Sequence, residues 1–288
     1  MPFRTLLTFY AHENDGAALT AGLSLAAQYK AHLDVLHILR DVSKETQALA
    51  LSVSSLHLET LAEEEEENQI AEAGLLFQEF SKTSSGFGIE TMGGGGQVSF
   101  DSATRKATAR WLLAQANPQE ELIAQSHVHD VTLIAWHKEH REIDLETMLE
   151  ASARPVMLIP EGYRARRLAR ASILWNRSAG ATHAVALALP LLKSLEKVEI
   201  ITTPEKARTP SQGLTLAEHL ASHGVATTST EITASGNVSD TLYAACEKSG
   251  SDLIIMGAFS ADTLRKKLLG SVTQGLLEKS TIPLLMAH

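Results

Sequence analysis

The residues best suited to chemistry lie between two apolar runs near the C-terminus. Leu253–Met256 and Ile282–Met286 have the composition of buried strands, and Gly257 directly follows the first of them. Gly270-Ser271 opens a predicted helix after a polar loop with three basic residues, Arg265, Lys266 and Lys267. The first N–H groups of a helix have no intrahelical partner, and the helix dipole favours an anion there. The pattern predicts a phosphate or nucleotide site, although the two lysines equally suit a solvated surface pair.

Histidines form a second group of candidates. Four of them flank the predicted strand Val131–Trp136, namely His127, His129, His137 and His140. A His-x-His pair can supply two metal ligands, but a straight strand of this length separates the two pairs by about 20 Å. These residues are therefore either polar loop residues or part of a zinc site completed by a partner. His12 and His37, near strand ends, are either structural or line a vestigial cleft.

Sequence motifs of common enzymes are absent. The chain has no Gly-x-Ser-x-Gly elbow, no Gly-x4-Gly-Lys-Ser/Thr loop and no His-Glu-x2-His pair. No catalytic residue is therefore predicted, and slow ATP hydrolysis is kept only as an alternative. The single cysteine, Cys246, lies on the apolar face of a predicted helix, where a small core residue is expected.

Length and charge limit the classes of protein to which the chain can belong. Its 288 residues predict two domains of ordinary size. The net charge of −9 arises in the segment up to Arg170, and neither half offers the basic surface that nucleic-acid binding needs. No apolar run has the length of a membrane span, and the N-terminal residues become polar and acidic too soon for a signal peptide to be predicted. One cysteine fits a reducing compartment, so we expect a cytoplasmic protein.

The same order of predicted strands and helices occurs twice along the chain. This repetition indicates two domains, residues 1–162 and 168–288. Strands of the first are expected at Phe3–Tyr10, His32–Leu39, Gly86–Met92, Val131–Trp136 and Pro155–Ile159. Its helices include Lys44–Phe80, with the acidic run Glu63–Glu67, and most of Ser102–Gln125. Strands of the second are expected at Ala171–Trp175, Val198–Thr202, Val225–Ile232, Asp252–Met256 and Ile282–Met286. Alternating strands and helices predict parallel sheets with right-handed crossovers.

Matching landmarks indicate an internal duplication. LLTFYAHENDGAALTAGLSLA in the first half matches SILWNRSAGATHAVALALP in the second, VTLIAWH matches DLIIMGA, and RPVMLIP matches IPLLMAH. We therefore expect an α/β protein made of two tandem five-stranded parallel-sheet domains of flavodoxin-like or Rossmann-like type.

These residues resemble the universal stress protein family in its tandem two-domain form. The family signature is Gly, two residues, Gly, nine residues and Gly-Ser or Gly-Thr. Here Gly257 is followed by Ala258-Phe259, Ser260, nine residues and Gly270-Ser271. LLGSVT and the ending PLLMAH are also typical. The resemblance is strong over residues 171–288 and looser over residues 3–160. It implies strand order 3-2-1-4-5, with a ligand where strands 1 and 4 diverge.

The resemblance also implies ATP or a related nucleotide in the second domain. No residue pattern requires a metal, and Mg²⁺ is considered only as an ion that can accompany the nucleotide. Asn176 and Thr203 would lie near the base. Phosphate and ribose would face the signature residues Gly257, Ser260, Gly270, Ser271, Val272 and Thr273. Two positions depart from the family. Ser260 replaces the second signature glycine, and Asn176 stands where ATP-binding members usually carry Asp.

The first domain lacks this signature. It has no glycine between Gly96 and Gly162, and four acids occupy the stretch of a phosphate loop: Glu139, Glu142, Asp144 and Glu146. We expect this copy to be structural or to bind a protein partner, and to pair with the second through the fifth strands as a pseudo-dimer. A homodimer of the whole chain is a further expectation. The expected function is nucleotide-responsive regulation of the stress response, and the alternatives are a scaffold without nucleotide and a weak ATPase.

Overall fold

The computed structural model describes residues 3–40, 55–92, 106–136, 143–204, 212–233, 236–258 and 269–288. Within them, eleven strands form one sheet: β1 Thr5–Phe9, β2 His32–Leu39, β3 Glu90–Met92, β4 Thr108–Gln115, β5 Val131–Trp136, β6 Val156–Pro160, β7 Arg170–Leu174, β8 Lys197–Thr202, β9 Thr227–Glu231, β10 Leu253–Gly257 and β11 Leu284–Ala287. Their order is β3-β4-β2-β1-β5-β6-β11-β10-β7-β8-β9. Strands β1 to β6 belong to the N-terminal half of the chain, and β7 to β11 belong to the C-terminal half.

Helices cover both faces of the sheet. They are α1 Gly16–Tyr29, α2 Ser55–Gly86, α3 Pro118–Ser126, α4 Leu145–Ala151, α5 Ala179–Leu192, α6 Gln212–Ser222, α7 Val238–Lys248 and α8 Ser271–Lys279. Successive strand residues point to opposite faces, so Ile254 packs with the cluster under α7 and α8 and Ile255 packs with the cluster under α5 and α6. None of the described helices has the length and apolar composition needed to cross a membrane.

The C-terminal half has the predicted topology. Its described strands follow the order β9-β8-β7-β10-β11, which is 3-2-1-4-5 within the half. All four pairings are parallel. Parallel strands covered on both faces are apolar along their whole length, and the side chains of Leu253–Met256 are accordingly all buried. The carboxyl ends of β7 and β10, where the strand order reverses, form the switch point of this half.

The N-terminal half departs from the predicted five strands. The helix predicted over Ser102–Gln125 is wrong for much of its length, because Thr108–Gln115 is the strand β4 and lies beside β2 along its whole length. A helix begins only at Pro118, where the Asn117 side chain accepts from the Glu120 N–H. The described residues of this half therefore contain six strands, with the short β3 outside β4.

The boundaries of α2 also differ from the prediction. The helix continues to Gly86, which leaves only Glu90–Met92 of the predicted strand Gly86–Met92 as β3. The start of the predicted helix Lys44–Phe80, residues 44–54, lies outside the described residues. Most of the acidic run Glu63–Glu67 is exposed on α2.

The two halves meet along one antiparallel pair of strands. β6 and β11 pair with Leu158 opposite Leu284 and Val156 opposite Met286. This is the junction through the last strand of each copy that the resemblance implied. Trp136 at the end of β5 adds a bond across the junction, because its Nε1–H donates to the Leu277 carbonyl of α8 at 3.0 Å.

Hydrogen bonds repeated in the two halves support the duplication. Asp130, before β5, accepts from the backbone N–H groups of Arg4 and Thr5 at 2.6 and 3.1 Å. Asp252, before β10, accepts from those of Ala169 and Arg170, both at 3.0 Å. Asp130 thus ties the start of β5 to the start of β1, and Asp252 ties the start of β10 to the start of β7 in the same way.

Candidate functional site

A cleft of about 260 Å³ opens at the switch point of the C-terminal half. It is bounded by the carboxyl ends of β7, β8 and β10 and by the start of α8. Every predicted binding residue that the structure describes lines it, namely Asn176, Thr203, Gly257, Gly270, Ser271, Val272 and Thr273. Ser260 lies outside the described residues, as do Arg265, Lys266 and Lys267. The structure thus brings seven residues together from four separate stretches of sequence.

The N-terminus of α8 forms one end of the cleft. Gly270 is the N-cap, and no side chain within the described structure caps the helix there. The first N–H with an intrahelical acceptor is that of Gln274, which donates to the Gly270 carbonyl at 2.9 Å. The N–H groups of Ser271, Val272 and Thr273 precede it and have no partner within the helix. They and the helix dipole form an anion site made of backbone.

The Thr273 hydroxyl has a structural role in this helix terminus. It donates to the Ala258 carbonyl at 3.1 Å, and the residue is 4% exposed. This bond ties the first turn of α8 to the residue after β10. Because the hydroxyl proton is used inside the protein, Thr273 positions the N–H groups of α8 and does not donate its side-chain proton to a ligand.

Gly257 is required by packing as well as by its place in the cleft. A Cβ at this residue would lie 2.5 Å from the Ala181 nitrogen and 2.7 Å from the Gly180 carbonyl carbon. Real Cβ atoms essentially never come so close to backbone atoms. The end of β10 and the start of α5 can therefore approach each other only if residue 257 has no side chain.

Asn176 sits beyond the end of β7, at the other side of the cleft. Its Oδ1 accepts from the Ser178 backbone N–H at 3.1 Å and from the Ser178 hydroxyl at 2.7 Å. Ser178 is the N-cap of α5, and its Oγ accepts from the Ala181 N–H at 3.1 Å. Arg177 between them has φ 59°, in the left-handed region that few non-glycine residues adopt.

The remaining walls of the cleft are apolar. Leu174, Met256, Leu242 and Val238 line it, together with the half-buried Trp175. None of the described lining residues carries a formal charge. An anion would therefore be held by the backbone of α8, and a flat, partly apolar group would fit against the side chains.

The corresponding positions of the N-terminal half are filled by carboxylates of the chain itself. α4 corresponds to α8, but its N-cap is Asp144, whose Oδ2 accepts from the Thr147 N–H at 3.2 Å and also from the Thr147 hydroxyl. Beyond β1, the buried Asp15 accepts from the N–H groups of Ala11 and His12 at 2.8 and 3.0 Å. The N–H groups of Thr147, Ala11 and His12 are therefore already paired with carboxylates of the chain.

Aromatic side chains surround His37 near the carboxyl end of β2. His37 stacks on Trp111 with ring centroids 5.6 Å apart, and its Nδ1 bonds to the Tyr10 carbonyl at 2.8 Å. Burial, with a smaller effect of Glu79, raises the pKa of Tyr10 to about 12. His37 is therefore a structural residue.

No histidine among the described residues lines the cleft. His127 bonds to the Ala151 carbonyl at 2.8 Å, and His12 lies 3.3 Å from Glu72. In the described part of the chain, no group of three or more His, Cys, Asp or Glu side chains is arranged so that it could hold a metal ion. His137 and His140 lie outside that part. Cys246 is fully buried, and burial raises the pKa of its thiol to about 12, as expected for a core residue.

A buried charge cluster in the N-terminal half has no counterpart in the sequence-based prediction. Asp34 on β2 is bonded to His32 at 2.9 Å, His129 at 3.0 Å and Arg110 at 2.8 Å through two nitrogens. Burial acts to raise the pKa of Asp34, but the bonds from His129, His32 and Arg110 outweigh it and hold that pKa well below its usual range. The cluster joins β2, β4 and the residues before β5 at the amino ends of these strands, away from the carboxyl ends. Its role is structural.

Part of the sequence and the overall fold are similar to those of known proteins. Residues 176–288 match the sequence model described as the Universal stress protein family, and a comparison with curated protein sequences finds no match. A universal stress protein from Archaeoglobus fulgidus DSM 4304 has a similar structure, with a TM-score of 0.69, 16% identity and coverage of 98% of this chain and 97% of that chain. A functionally unknown protein from Pseudomonas aeruginosa PAO1 gives a TM-score of 0.50 at 14% identity, with 98% and 92% coverage. A universal stress protein in complex with cAMP gives a TM-score of 0.32 at 19% identity, with 43% and 99% coverage.

Proposed function

We propose that the C-terminal half, which belongs to the universal stress protein family over residues 176–288, binds ATP or a related nucleotide and thereby regulates a stress response. In this proposal the chain divides into domains at residues 1–162 and 168–288, and only the second holds a ligand. Nucleotide binding is the regulatory signal, and it is transmitted to an unidentified protein partner.

The observation that carries the proposal is the difference between two corresponding helix termini. α4 is capped by the carboxylate of Asp144, whereas α8 begins at Gly270 without a side-chain cap. Both helices follow a central strand of their half and lead to its last strand. The uncapped terminus is the one that opens onto a cleft, and N–H groups at such a terminus are suited to phosphate.

The dimensions of the cleft suit a nucleotide. Neighbouring strands lie about 4.8 Å apart, so the ends of β10 and β8 are separated by about 10 Å. A phosphate at Gly270 and Ser271 would leave the ribose along Gly257 and the base near Asn176 and Thr203. The apolar wall of Leu174 and Met256 would cover the base or ribose. Mg²⁺ would be bound by the phosphates, because the described lining residues include no carboxylate.

The N-terminal half supports the site from outside. Glu146 of α4 accepts from the Leu269 N–H at 3.2 Å, directly before the cap of α8, and Trp136 bonds to the Leu277 carbonyl near its end. Both ends of α8 are thereby fastened to the other half of the chain. We assign this half a structural role and the binding of the protein partner. A cytoplasmic location, consistent with the single buried thiol, and a homodimer complete the proposal.

The experiment begins with the purified protein. Denaturation followed by chromatography of the supernatant should release a nucleotide, and added nucleotide should raise the melting temperature of protein that has been stripped of it. If no nucleotide is released and the melting temperature is unchanged by ATP, GTP or cAMP, the proposal is wrong and the scaffold reading replaces it. Phosphate release that persists after removal of contaminating ATPases would instead indicate the weak ATPase.

A further inference from the structure

The amide of Asn176 has a defined orientation. The Ser178 backbone N–H can only donate, so the side-chain atom 3.1 Å from it must be the amide oxygen. The same oxygen accepts from the Ser178 hydroxyl at 2.7 Å, and that hydroxyl in turn accepts from the Ala181 N–H at the start of α5. These bonds leave the NH₂ group of Asn176 as the part of the amide without a partner among the described residues.

This orientation excludes one mode of base recognition. An asparagine amide usually recognises adenine with two bonds, in which its oxygen accepts from the exocyclic N6 amine and its NH₂ donates to N7. A carbonyl oxygen has two lone pairs, and Ser178 occupies both of those on Asn176. The adenine amine therefore finds no acceptor at this side chain, whereas the NH₂ group of this cleft-lining residue offers two N–H donors.

We propose that the site selects 6-oxopurine nucleotides, those of guanine or hypoxanthine, over adenine nucleotides. Their O6 and N7 atoms are neighbouring acceptors, which match the donors of Asn176. The hydroxyl of Thr203, which can donate or accept, fits either class of base and does not oppose this choice. The inference rests on the proposed nucleotide site and names the ligand class of that same site.

The test compares ATP with ITP by isothermal titration calorimetry in buffer with Mg²⁺, because the two bases differ at the C6 substituent and the adjacent N1. One matched hydrogen bond corresponds to about a fivefold difference in affinity, so the wild-type protein is expected to bind ITP, and GTP likewise, about fivefold more tightly than ATP. Asn176→Asp keeps an oxygen for Ser178 and replaces the NH₂ donor by an acceptor. The ratio is then expected to reverse in favour of ATP by a similar factor.

Asn117→Asp is the matched control. Asn117 is the N-cap of α3 in the other half, where its side chain accepts from the Glu120 N–H. The substitution makes the same chemical change at a helix terminus and adds the same charge. It should leave the ratio of ITP to ATP affinity unchanged. ATP and ITP carry the same triphosphate, so repulsion between an added carboxylate and the phosphates lowers both affinities equally and cancels in their ratio.

The outcomes separate this inference from the proposal beneath it. Equal binding of ATP and ITP in both the wild-type protein and Asn176→Asp would overturn the selectivity and leave the nucleotide site standing. Preference for ATP in the wild-type protein would overturn it too. Failure of all nucleotides to bind the wild-type protein would refute the proposed function itself, and the selectivity with it.

Discussion

Replacement of Gly270 by aspartate should give α8 the same cap as α4 and thereby close the anion site. Gly270 has φ −63° and ψ 152°, values that any residue adopts, so the substitution adds no backbone strain. Aspartate is a preferred N-cap, and its carboxylate would accept from the N–H groups that are proposed to hold phosphate. The variant would reproduce at α8 the arrangement of Asp144 at α4.

The free protein and the complex should respond in opposite directions. Capping gains a few tenths of a kcal/mol over glycine, and the favourable charge at the helix start adds about 0.3–1 kcal/mol. The ligand-free variant should therefore be as stable as the wild-type protein or slightly more stable. In the complex, a carboxylate about 4 Å from a phosphate charge would cost roughly 4 kcal/mol at an effective dielectric constant of 20. Affinity should fall by more than about a hundredfold.

Thermal unfolding measures both effects in one assay. Ligand at a hundred times its dissociation constant stabilises a protein by about 2.7 kcal/mol, which in a chain of this size corresponds to a rise of roughly 5–10 °C. The wild-type protein should show this rise and Gly270→Asp should not. Gly270→Asn is the control, because it also caps the helix without adding a charge and should bind with intermediate affinity. A full ligand-dependent rise in Gly270→Asp would refute the assignment of the site to α8.

Two further predictions concern stability. Gly257→Ala should destabilise the protein by about 1–3 kcal/mol or more, because its Cβ would overlap the backbone of α5; chemical denaturation with an unchanged midpoint would contradict the packing argument. Asp34→Asn should cost about 3–5 kcal/mol at neutral pH, because Arg110 would lose its buried partner. Because the pKa of Asp34 is lower in the folded than in the unfolded protein, its contribution is present above the unfolded-state value of about 3.9 and is lost as the pH falls below it. Between pH 7 and pH 3, the free energy of unfolding should fall more steeply for the wild-type protein than for Asp34→Asn. Parallel pH dependences of the two proteins would count against a stabilising role of Asp34.

Periodicity predicted the C-terminal half well for a physical reason. Its central strands are covered on both faces, so Leu253–Met256 and Leu284–Met286 are apolar throughout and easily recognised. β4 was missed because TARWLLAQ is rich in residues with high helix propensity, such as Arg, Leu, Ala and Gln. Its extended form depends on pairing with β2, which is distant in the sequence and becomes its neighbour only in the folded protein.

The position of the site could be predicted from the sequence, but several side-chain roles could not. The glycine and Gly-Ser spacing predicted residues that line one cleft, whereas the packing of Gly257 on α5 and the bond of Thr273 to Ala258 depend on distant elements. The sequence places Asp144 among four acids in the stretch of a phosphate loop, but it does not show the capping bond by which Asp144 occupies the Thr147 N–H. His32 and Asp34 share one face of β2, which hints at a polar pair, but the sequence does not indicate Arg110 as their neighbour.

The number of nucleotides bound by each chain is the sharpest test of a single site in the C-terminal half. Two copies of one fold are joined in this protein, and of their two corresponding helices, α4 and α8, only α8 begins without a side-chain cap in the described structure. Calorimetric titration of the stripped protein should therefore give one nucleotide per chain, and Gly270→Asp should bring the number to zero. Two nucleotides per chain, or none, would contradict the account.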